Sequence, residues 1–474
     1  MSFNKTKIVA TLGPSTSEKE IMYQMIQEGV DVFRINFSHS SHEDAIDLIG
    51  KIRELNNEHN LNVAVLADLQ GPKLRIGEVE PGAVLEKGDT LLFSTIEDMG
   101  TAKKVFMTYS QFPRDVKVGE RILVDDGKIV LKITHTNGID EVAAEVIQGG
   151  SLKSKKGVNL PNTKISLPCL TEKDLADLKV AMEQEVEWVG LSFVRSADDV
   201  KELKQIIAEN NAPCRVISKI EKPEAVVEID RIIEETGAIM VARGDLGVEV
   251  PMQSVPLIQK MVVNKCHKMA KPVVIATQMM ETMIENLTPT RAEVNDVANS
   301  VLDGADAVML SGETSVGKHP VAVIEAMSKI IEHVEESGQV ETQTENPPSY
   351  RNDRFITDSI CYNASKVADQ VGASAILTMT FSGYTGFKIS SHRPRTNIVV
   401  FTANRSILNM VSLIWGVRGY FSDNMESTDN TFNEIKHIAK REGLVTEGDL
   451  VVKIASMPIE ESGMTNMLKI SQID

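Results

Sequence analysis

A lysine and a glutamate stand two residues apart at the end of an apolar run, "VISKIEKPEAV", residues 216–226. Successive side chains of a strand point to opposite faces, so Lys219 and Glu221 would share one face, roughly 7 Å apart. Both groups are costly to bury. Such a strand has either reached solvent, as most charged strand ends have, or has placed its charges in a cleft. In a cleft, a desolvated ammonium beside carboxylates would stabilise developing negative charge.

Eight short apolar runs read as strands, and most are followed by an amphipathic segment that reads as a helix. They span residues 7–12, 31–38, 62–69, 187–194, 214–220, 238–245, 272–277 and 305–311. Strand–helix alternation predicts parallel strands, and eight units are what a closed (β/α)8 TIM barrel needs. Doubly wound open sheets show the same alternation, so the count favours a barrel without excluding them.

Two other regions differ in character from this α/β pattern. Residues 71–167 carry short strand patterns and the turn signals "DDGK" and "TNGID", which indicate hairpins and a small all-β domain inserted in a barrel loop. The barrel would therefore comprise residues 1–70 and 168–338. A polar, proline-containing linker at 339–353 precedes a smaller α/β domain at 354–474.

Polar side chains cluster at the predicted carboxyl ends of the barrel strands, where such barrels place their chemistry. The ends carry Arg34, Asn36, Ser38, Asp68, Lys219, Glu221, Arg243, Gly244, Asp245, Thr277, Gln278, Ser311 and Glu313. Glu221 and Asp245, on adjacent strands, could share a hard divalent ion with Lys219 beside it. The basic stretch Lys153, Lys155, Lys156 and Lys164 near the exit of the insertion is either a solvated face or a surface for a polyphosphate.

Composition excludes several classes of function. The net charge of −17 argues against nucleic acid or an anionic membrane as the main partner. No apolar run is long enough to cross a bilayer, and the first residues lack the apolar core of a signal peptide. Four isolated cysteines (Cys169, Cys214, Cys266 and Cys361) argue against zinc and disulfide frameworks. We therefore expect a cytoplasmic protein.

Three further patterns favour plain structural roles. "GETSVGKH" (312–319) nearly matches a phosphate-binding loop, but His319 replaces the required hydroxyl and Pro320 follows. His39 and His42 lack a third metal ligand and are more typical of turn or capping residues. Trp188 and Trp415 lie in apolar patterns and are expected in the core.

A set of longer motifs resembles the pyruvate kinase family nearly end to end and in family order. They include "TKIVATLGPS", "FRINFSHS", "DLQGPKLRIG", "SKKGVNLP", "ISKIEKPEAV", "VARGDLGVE", "VIATQMMETM", "MLSGETSVGKHP" and the late "GMTN". The resemblance implies transfer of the phosphoryl group of phosphoenolpyruvate to ADP, giving ATP and pyruvate. It also implies a Mg²⁺ cofactor, with Mn²⁺ as an alternative, and usually a homotetramer. The family's layout further implies that the insertion at 71–167 is a small β-barrel lid domain and that residues 354–474 serve effector binding and assembly.

The resemblance also implies roles for matching residues. Lys219 would stabilise the transferring phosphoryl group, and Glu221 and Asp245 would hold the divalent ion. Arg34 would bind the phosphate, and the backbone N–H groups of Gly244 and Asp245 would bind the substrate carboxylate. Thr277 would lie against the methylene group of the substrate. Ser311 would take part in protonating the enolate. The nucleotide would contact Asn36, Phe37, Ser38, His39, Arg75 and, from the closing lid, Lys156.

The chain departs from the family pattern at the potassium position. Many members hold K⁺ with residues matching Asn36, Ser38, Asp68 and the carbonyl of residue 69, next to a glutamate in "GPE". Here Leu69 replaces the usual threonine and Lys73 the glutamate. A lysine ammonium would supply the missing positive charge. The sequence therefore predicts activity without K⁺.

A second departure concerns regulation. "TFSGYT" (380–385), with Thr380, Ser382, Gly383 and Thr385, resembles the family's effector phosphate loop. A nearby loop carries Glu460 and Glu461 where binders of fructose 1,6-bisphosphate commonly have a basic residue, and these carboxylates would repel a second phosphate. We expect weak or absent activation by the bisphosphate, and a monophosphate effector, such as AMP or a sugar monophosphate, fits better.

Two other functions remain open at the level of residues. A lyase or aldolase acting on pyruvate or phosphoenolpyruvate would also use a magnesium ion held by Glu and Asp, but would need no nucleotide. A non-catalytic sensor would have no need to keep Lys219, Glu221, Asp245 and Thr277 together. Dependence of the reaction on ADP distinguishes these alternatives.

Overall fold

The computed structural model describes residues 4–340, 353–423, 428–457 and 464–474. The chain begins with three strands and two helices, β1 (Lys7–Thr11), α1 (Lys19–Glu28), β2 (Val30–Asn36), α2 (His42–His59) and β3 (Ala64–Asp68). Helix α2 begins with a capping box: the Ser41 hydroxyl accepts from the Asp44 N–H, and Asp44 accepts from the Ser41 N–H.

After β3 the chain leaves for an all-β insertion. Its elements are β4 (Val84–Leu85), β5 (Thr90–Ser94), β6 (Lys104–Phe106), α3 (Phe112–Asp115), β7 (Arg121–Val124), β8 (Ile129–Thr136), β9 (Glu141–Gln148), β10 (Gly150–Ser151) and β11 (Val158–Asn159). They form a six-stranded sheet in the order β11-β7-β8-β9-β5-β6 and a two-stranded ribbon of β10 and β4. The "DDGK" and "TNGID" turns join β7 to β8 and β8 to β9, as the sequence predicts. The "LRIGEVE" pattern forms only isolated bridges.

The chain then returns to the barrel through five more strands. The elements are α4 (Glu172–Glu183), β12 (Trp188–Leu191), α5 (Ala197–Glu209), β13 (Arg215–Ile220), α6 (Pro223–Val227), α7 (Ile229–Glu235), β14 (Ala238–Ala242), α8 (Arg243–Glu249), α9 (Val255–Lys268), β15 (Val273–Ala276), α10 (Arg291–Leu302), β16 (Ala307–Leu310), α11 (Gly312–Ser315) and α12 (Pro320–Glu336).

Eight parallel strands close the barrel in the order β1-β16-β15-β14-β13-β12-β3-β2, which confirms the predicted fold class. Strand β13 lies beside β14, with Lys219 opposite Met240. Alternate positions of β13 face different layers: Val216 and Ile220 pack in the core outside the barrel, and Ile217 packs in the core cluster that contains Trp188. Odd-numbered residues of β13 therefore point into the barrel, and its last ones reach the rim.

The C-terminal region forms a second α/β unit. Its elements are α13 (Phe355–Val371), β17 (Ala375–Met379), α14 (Tyr384–Ser391), β18 (Asn397–Thr402), α15 (Arg405–Met410), β19 (Val417–Phe421), α16 (Thr428–Arg441), β20 (Leu450–Ala455) and β21 (Met467–Gln472). The sheet order is β19-β18-β17-β20-β21, and only β21 is antiparallel to its neighbour. Trp188 and Trp415 are both buried, as predicted. None of the described helices combines the length and apolar character that a membrane span requires.

Candidate functional site

Lys219 lies at the rim of the barrel, and its ammonium is surrounded by oxygen acceptors. Its Nζ lies 3.0 Å from Glu221 Oε1 and 3.3 Å from Asp68 Oδ1, and it donates to the Ser192 hydroxyl at 2.7 Å. Burial disfavours the ammonium, but Asp68 and Glu221 outweigh this effect and raise the pKa of Lys219. The side chain is therefore a positive charge held in place at the mouth of the barrel.

Arg34 and Asp68 form a second buried pair next to this lysine. The guanidinium approaches Asp68 Oδ2 with Nε at 2.7 Å and Nη2 at 2.6 Å, and Nη1 donates to the Thr11 hydroxyl at 3.0 Å. Burial opposes the Asp68 carboxylate, but Lys219 and Arg34 lower its pKa. Two cations thus share one carboxylate, and the guanidinium is held in place where a phosphate could bind.

Glu221 and Asp245 provide carboxylates that fit a divalent cation. Glu221 Oε2 accepts the Phe193 N–H at 2.8 Å, and burial together with the Asp245 charge raises the Glu221 pKa although Lys219 opposes the shift. Two carboxylates that repel each other in a buried site would be relieved by a shared cation. In the part of the chain that the structure describes, no group of three or more His, Cys, Asp or Glu side chains is arranged for a metal. An ion held here would need oxygen ligands from substrate or water in addition.

The turn after β15 is held in a strained conformation by groups from the start of α8. Thr277 and Gln278 have φ of 71° and 55°, which is rare for a β-branched residue such as threonine. The Thr277 hydroxyl accepts the Gly244 N–H at 2.7 Å, and its carbonyl accepts Arg243 Nη2 at 2.8 Å. Arg243 is itself fixed by Asp296, with two contacts of 2.6 Å. Strain at such a position is typical of functional sites.

Ser311 follows β16 and immediately precedes the short helix α11. Its N–H donates to Glu313 Oε2 at 2.7 Å, and the other Glu313 oxygen accepts the Met280 N–H at 3.2 Å. Glu313 therefore ties the seventh and eighth strand ends together. The serine hydroxyl lies on the same rim as Thr277, as the strand order requires.

The residues expected to meet a nucleotide lie where the insertion approaches the barrel. Phe37 is buried, Ser38 N–H donates to Asn36 Oδ1 at 3.1 Å, and burial with the nearby cations Lys73, Arg75 and Arg34 lowers the pKa of His39. A cleft of about 760 Å³ lies between the insertion and the rim, and its walls include Lys73, Asp126, Arg243, Gly244 and Asp245 but none of the residues expected to meet a nucleotide. Residues of the insertion and of the rim therefore line one cavity.

Arg75 and Lys156 are both held by other residues of the insertion. Arg75 Nη1 donates to the Lys155 carbonyl at 3.1 Å, and Lys156 Nζ lies 2.9 Å from Asp125 Oδ1. Of the basic stretch, Lys155 likewise pairs with Glu78 at 2.7 Å. Lys156 would have to exchange Asp125 for a phosphate in order to contact a nucleotide.

The predicted potassium position is partly occupied by internal hydrogen bonds. The Leu69 carbonyl accepts the Ser192 hydroxyl at 2.7 Å, and Asn36 Oδ1 accepts the Ser38 N–H. Asp68 is bound by Arg34 and Lys219, and the Lys73 charge contributes to the lowered pKa of His39. Positive charge from the chain therefore surrounds this position.

The predicted effector loop precedes helix α14. Gly383, at φ 82°, donates its N–H to the Thr380 hydroxyl at 3.0 Å, and the Thr385 hydroxyl lies 3.2 Å from that of Thr378. The Ser382 carbonyl accepts Arg215 Nη2 at 2.7 Å, so this loop touches the barrel. Glu460 and Glu461 lie outside the described residues.

The predicted structural roles agree with the geometry. Lys318 of "GETSVGKH" pairs with Glu285 rather than facing an open loop. His42 is the first residue of α2, and its Nε2 lies 2.8 Å from Asp177. All four cysteines are free and buried.

Ser192 is a site residue that the rim prediction did not include. It connects Lys219 to the Leu69 carbonyl from the end of β12, the fourth barrel strand. Thr11, at the end of the first strand, orients Arg34. Applying the strand-end rule to the first and fourth runs, "KIVATL" and "EWVGLSFV", would have found both residues.

The sequence and the fold of this chain are similar to those of known proteins. The family model described as "Pyruvate kinase, barrel domain" matches residues 3–324, and "Pyruvate kinase, alpha/beta domain" matches residues 358–471. The chain is 40% identical to a pyruvate kinase of Geobacillus stearothermophilus, over 99% of this chain and 80% of that protein. It is 41% identical to one of Corynebacterium glutamicum, over 98% and 97%. The crystal structure of a pyruvate kinase from Cryptosporidium parvum superposes with a TM-score of 0.91 at 32% identity, covering 99% of this chain and 96% of that one.

Proposed function

The chain belongs to the pyruvate kinase family of phosphotransferases, and we propose that Lys219, Glu221 and Asp245 form its reaction centre for phosphoryl transfer from phosphoenolpyruvate to ADP. The observation that carries this assignment is the buried contact of Lys219 with Glu221 and Asp68 at the carboxyl ends of the strands. It puts a fixed ammonium beside Glu221, one of the two carboxylates that would hold a divalent ion.

Members of the family generally use Mg²⁺, and Glu221 and Asp245 are the residues that would hold it here; Mn²⁺ has the same preference for oxygen ligands. When bound, such an ion neutralises charge on the phosphoryl and enolate oxygens.

The remaining groups position the substrates. The Nη groups of Arg34 would bind the phosphate, and Asp68 fixes the plane of the Arg34 guanidinium. The Gly244 and Asp245 N–H groups, in the first turn of α8, would donate to the substrate carboxylate once Thr277 releases the Gly244 N–H. Thr277 then borders the methylene carbon, and Ser311 on the adjacent strand end takes part in its protonation.

The nucleotide would enter between the rim and the insertion. Asn36, Phe37, Ser38 and His39 form the barrel side, and Arg75 and Lys156 form the lid side. Lys156 would exchange Asp125 for the nucleotide phosphates as the lid closes, which would exclude water from the reacting groups.

Replacing Lys219 tests this assignment. Purified protein given phosphoenolpyruvate, ADP and Mg²⁺ should form pyruvate, and Lys219→Met should lower kcat at least ~10²-fold because a preorganised charge is lost. Lys201→Met, which removes an exposed lysine of α5, serves as the matched control and should retain activity. Pyruvate formation without ADP would indicate a lyase, and no turnover by the folded protein would indicate a sensor.

We propose that the enzyme needs no K⁺, because Lys73 supplies positive charge near the position where many relatives bind the ion. Activity in tetramethylammonium buffer should rise little on adding KCl. Lys73→Glu should lower activity in that buffer by about tenfold or more, and K⁺ should restore part of it. Lys103→Glu, an exposed charge reversal in the insertion, should change neither property. Strong activation of the unaltered enzyme by K⁺ would refute the proposal.

We propose assembly as a homotetramer, from family membership, and location in the cytoplasm, in keeping with four free thiols. The effector at Thr380, Ser382, Gly383 and Thr385 is proposed to be a monophosphate. Titration of activators at low phosphoenolpyruvate tests this, and tight activation by fructose 1,6-bisphosphate would contradict it.

A further inference from the structure

The proposed metal ligand Glu221 is held through both of its carboxylate oxygens. Oε1 lies 3.0 Å from Lys219 Nζ, and Oε2 accepts the backbone N–H of Phe193 at 2.8 Å. Lys219 belongs to the reaction centre, whereas Phe193 has none of the roles assigned above. Carboxylates that bind metals are commonly oriented by hydrogen bonds from residues that do not touch the ion. The conformation of Phe193 therefore helps to decide which way the Glu221 carboxylate faces.

Phe193 holds this position against its own backbone preference. It lies two residues after β12 with φ of 55°, in the left-handed region that an aromatic residue rarely adopts. Such a conformation persists only where the surrounding structure imposes it, and it is common at functional sites. Two contacts of the Phe193 ring provide this restraint.

The first contact is with Gly71, where the insertion begins. A Cβ atom at this glycine would lie 2.8 Å from Phe193 Cδ2 and 3.0 Å from Ser192 Cβ, so the backbone approaches the ring as only glycine permits. The Gly71 N–H donates to Asp174 Oδ1 at 3.0 Å, which fixes this backbone against the barrel. The Phe193 ring therefore packs against a fixed point at the start of the insertion.

The second contact is with Lys222, the residue after the metal ligand. Lys222 is buried, and its ammonium lies 5.7 Å from the centre of the Phe193 ring, within the range of a cation–π interaction. Its Nζ lies 2.6 Å from Glu249 Oε1, which also accepts the side-chain amide of Asn159 at 2.8 Å. The ion pair with Glu249 therefore holds the ammonium over the ring.

We propose that Phe193 and Lys222 are positioning residues for the divalent ion. Phe193 orients the Glu221 carboxylate through its N–H, and Lys222 keeps the Phe193 ring in the conformation that this requires. The inference rests on the proposed function, since it takes Glu221 as a ligand of the ion. The insertion supports the arrangement twice, through Gly71 and through the contact of Asn159 with Glu249.

The expected effect of displacing the ring is specific. The Glu221 carboxylate would be less well ordered before the ion binds, so the affinity for the ion should fall. At saturating metal the carboxylate is held by the ion itself, and the rate of the reaction should then change little. A merely structural role of Phe193 would lower stability without this separation of effects.

Direct binding of Mn²⁺ to the full-length protein tests the inference. Free Mn²⁺ is followed by electron paramagnetic resonance with phosphoenolpyruvate present and ADP absent, so that no turnover occurs. Phe193→Ala should weaken Mn²⁺ binding about tenfold, as loss of a group that orients a metal ligand typically does. Lys222→Met should weaken it about threefold, as loss of one cation–π contact would. Lys222→Arg keeps a cation for the ring and should retain most of the affinity.

Steady-state kinetics provide a second measurement. In Phe193→Ala the Mg²⁺ concentration that gives half the maximal rate should rise about tenfold, while kcat at saturating Mg²⁺ should stay within about threefold of the unaltered value. The comparison of Lys222→Met with Lys222→Arg decides the question even where Phe193→Ala fails to fold.

Lys7→Met is the matched control. Lys7 is also a buried lysine in an ion pair, 3.3 Å from Asp31, but it is the first residue of β1 and lies at the amino end of the barrel. Its removal should lower the melting temperature and leave Mn²⁺ binding unchanged. Equal weakening of Mn²⁺ binding in Lys7→Met and Lys222→Met, or unchanged binding in folded Phe193→Ala, would overturn the inference.

Glu221→Gln separates this inference from the proposed function. Loss of Mn²⁺ binding in Glu221→Gln, with full binding in Phe193→Ala, would overturn the positioning role alone. Full Mn²⁺ binding in Glu221→Gln would overturn the metal assignment of the proposed function, and the positioning role with it.

Discussion

The buried histidine His267 should make the protein sensitive to acid. Its Nε2 lies 2.7 Å from the Gly304 carbonyl and 2.7 Å from Arg393 Nη2, and burial together with Arg393 lowers its pKa to about 4. The unfolded chain, with a histidine pKa near 6.5, takes up a proton before the folded chain does. Stability is therefore lost as pH falls from about 6.5 toward 4, by roughly 2 kcal/mol between pH 7.5 and 5.

Urea unfolding of the unaltered protein and of His267→Gln at pH 7.5 and 5 checks this expectation. The variant has no imidazole to protonate at this position. Between pH 7.5 and 5 its free energy of unfolding should therefore fall by roughly 2 kcal/mol less than that of the unaltered protein. His333→Gln, an exposed position of α12, should keep the slope of the unaltered protein. Parallel pH dependences in His267→Gln and the unaltered protein would contradict the assignment.

At the scale of elements, the insertion is fastened to the barrel by a few polar contacts near the reaction centre. Asn159 of β11 donates to Glu249 Oε1 at 2.8 Å, and the same oxygen lies 2.6 Å from Lys222 Nζ. Arg195 donates to the carbonyls of Ile165 and Leu167 at 2.7 and 2.8 Å, where the chain re-enters the barrel. These contacts set the position of the lid, and with it Arg75 and Lys156.

Asn159→Ala should therefore raise the KM for ADP several-fold, with the KM for phosphoenolpyruvate nearly unchanged. One hydrogen bond to a charged group contributes about 1.5 kcal/mol or more. Steady-state kinetics with each substrate varied separately would measure the two effects. Lys132→Ala, on an exposed position of β8, is the control within the same sheet. Equal changes in both KM values would show that Asn159 supports the site as a whole rather than the lid.

The elements themselves were largely predictable from the sequence, because each barrel strand is a compact apolar run followed by a helical pattern. The "LRIGEVE" segment is an exception: its alternation suggests a strand, but its partners lie in distant parts of the insertion and provide only isolated bridges. Most residues of the rim could be predicted by taking the residues at the carboxyl ends of the predicted strands. Sequence could not show that Lys156 is paired with Asp125 or that Thr277 occupies the Gly244 N–H, because these contacts depend on tertiary packing.

At the scale of the whole molecule, one buried ion pair joins the barrel to the C-terminal unit. Arg393, which is fully buried, reaches both Asp306 oxygens at 3.1 and 3.0 Å and lies over the Trp415 ring at 4.8 Å. Removing one partner of a buried pair typically costs about 3–5 kcal/mol, because the other charge is left without compensation. Arg393→Met should therefore destabilise the protein and separate the unfolding of the two units.

Calorimetry should show a lowered and split transition for Arg393→Met, and partial recovery in Arg393→Met/Asp306→Asn, which removes the stranded carboxylate. Arg395→Met, an exposed neighbour, is the control. A single transition at the original temperature would show that apolar packing alone couples the units.

Strand β13 has a further consequence for how this chain can change over evolution. The odd-numbered side chains of this strand face the barrel axis: Arg215, Ile217, Lys219 and Glu221. A strand segment of about 13 Å therefore places Arg215 at one end of the barrel and Lys219 at the other. Inserting or deleting a single residue between them would reverse the orientation of one end, removing either the guanidinium or the ammonium from its position. Insertions or deletions in this segment keep both side chains in place only if they change its length by an even number of residues.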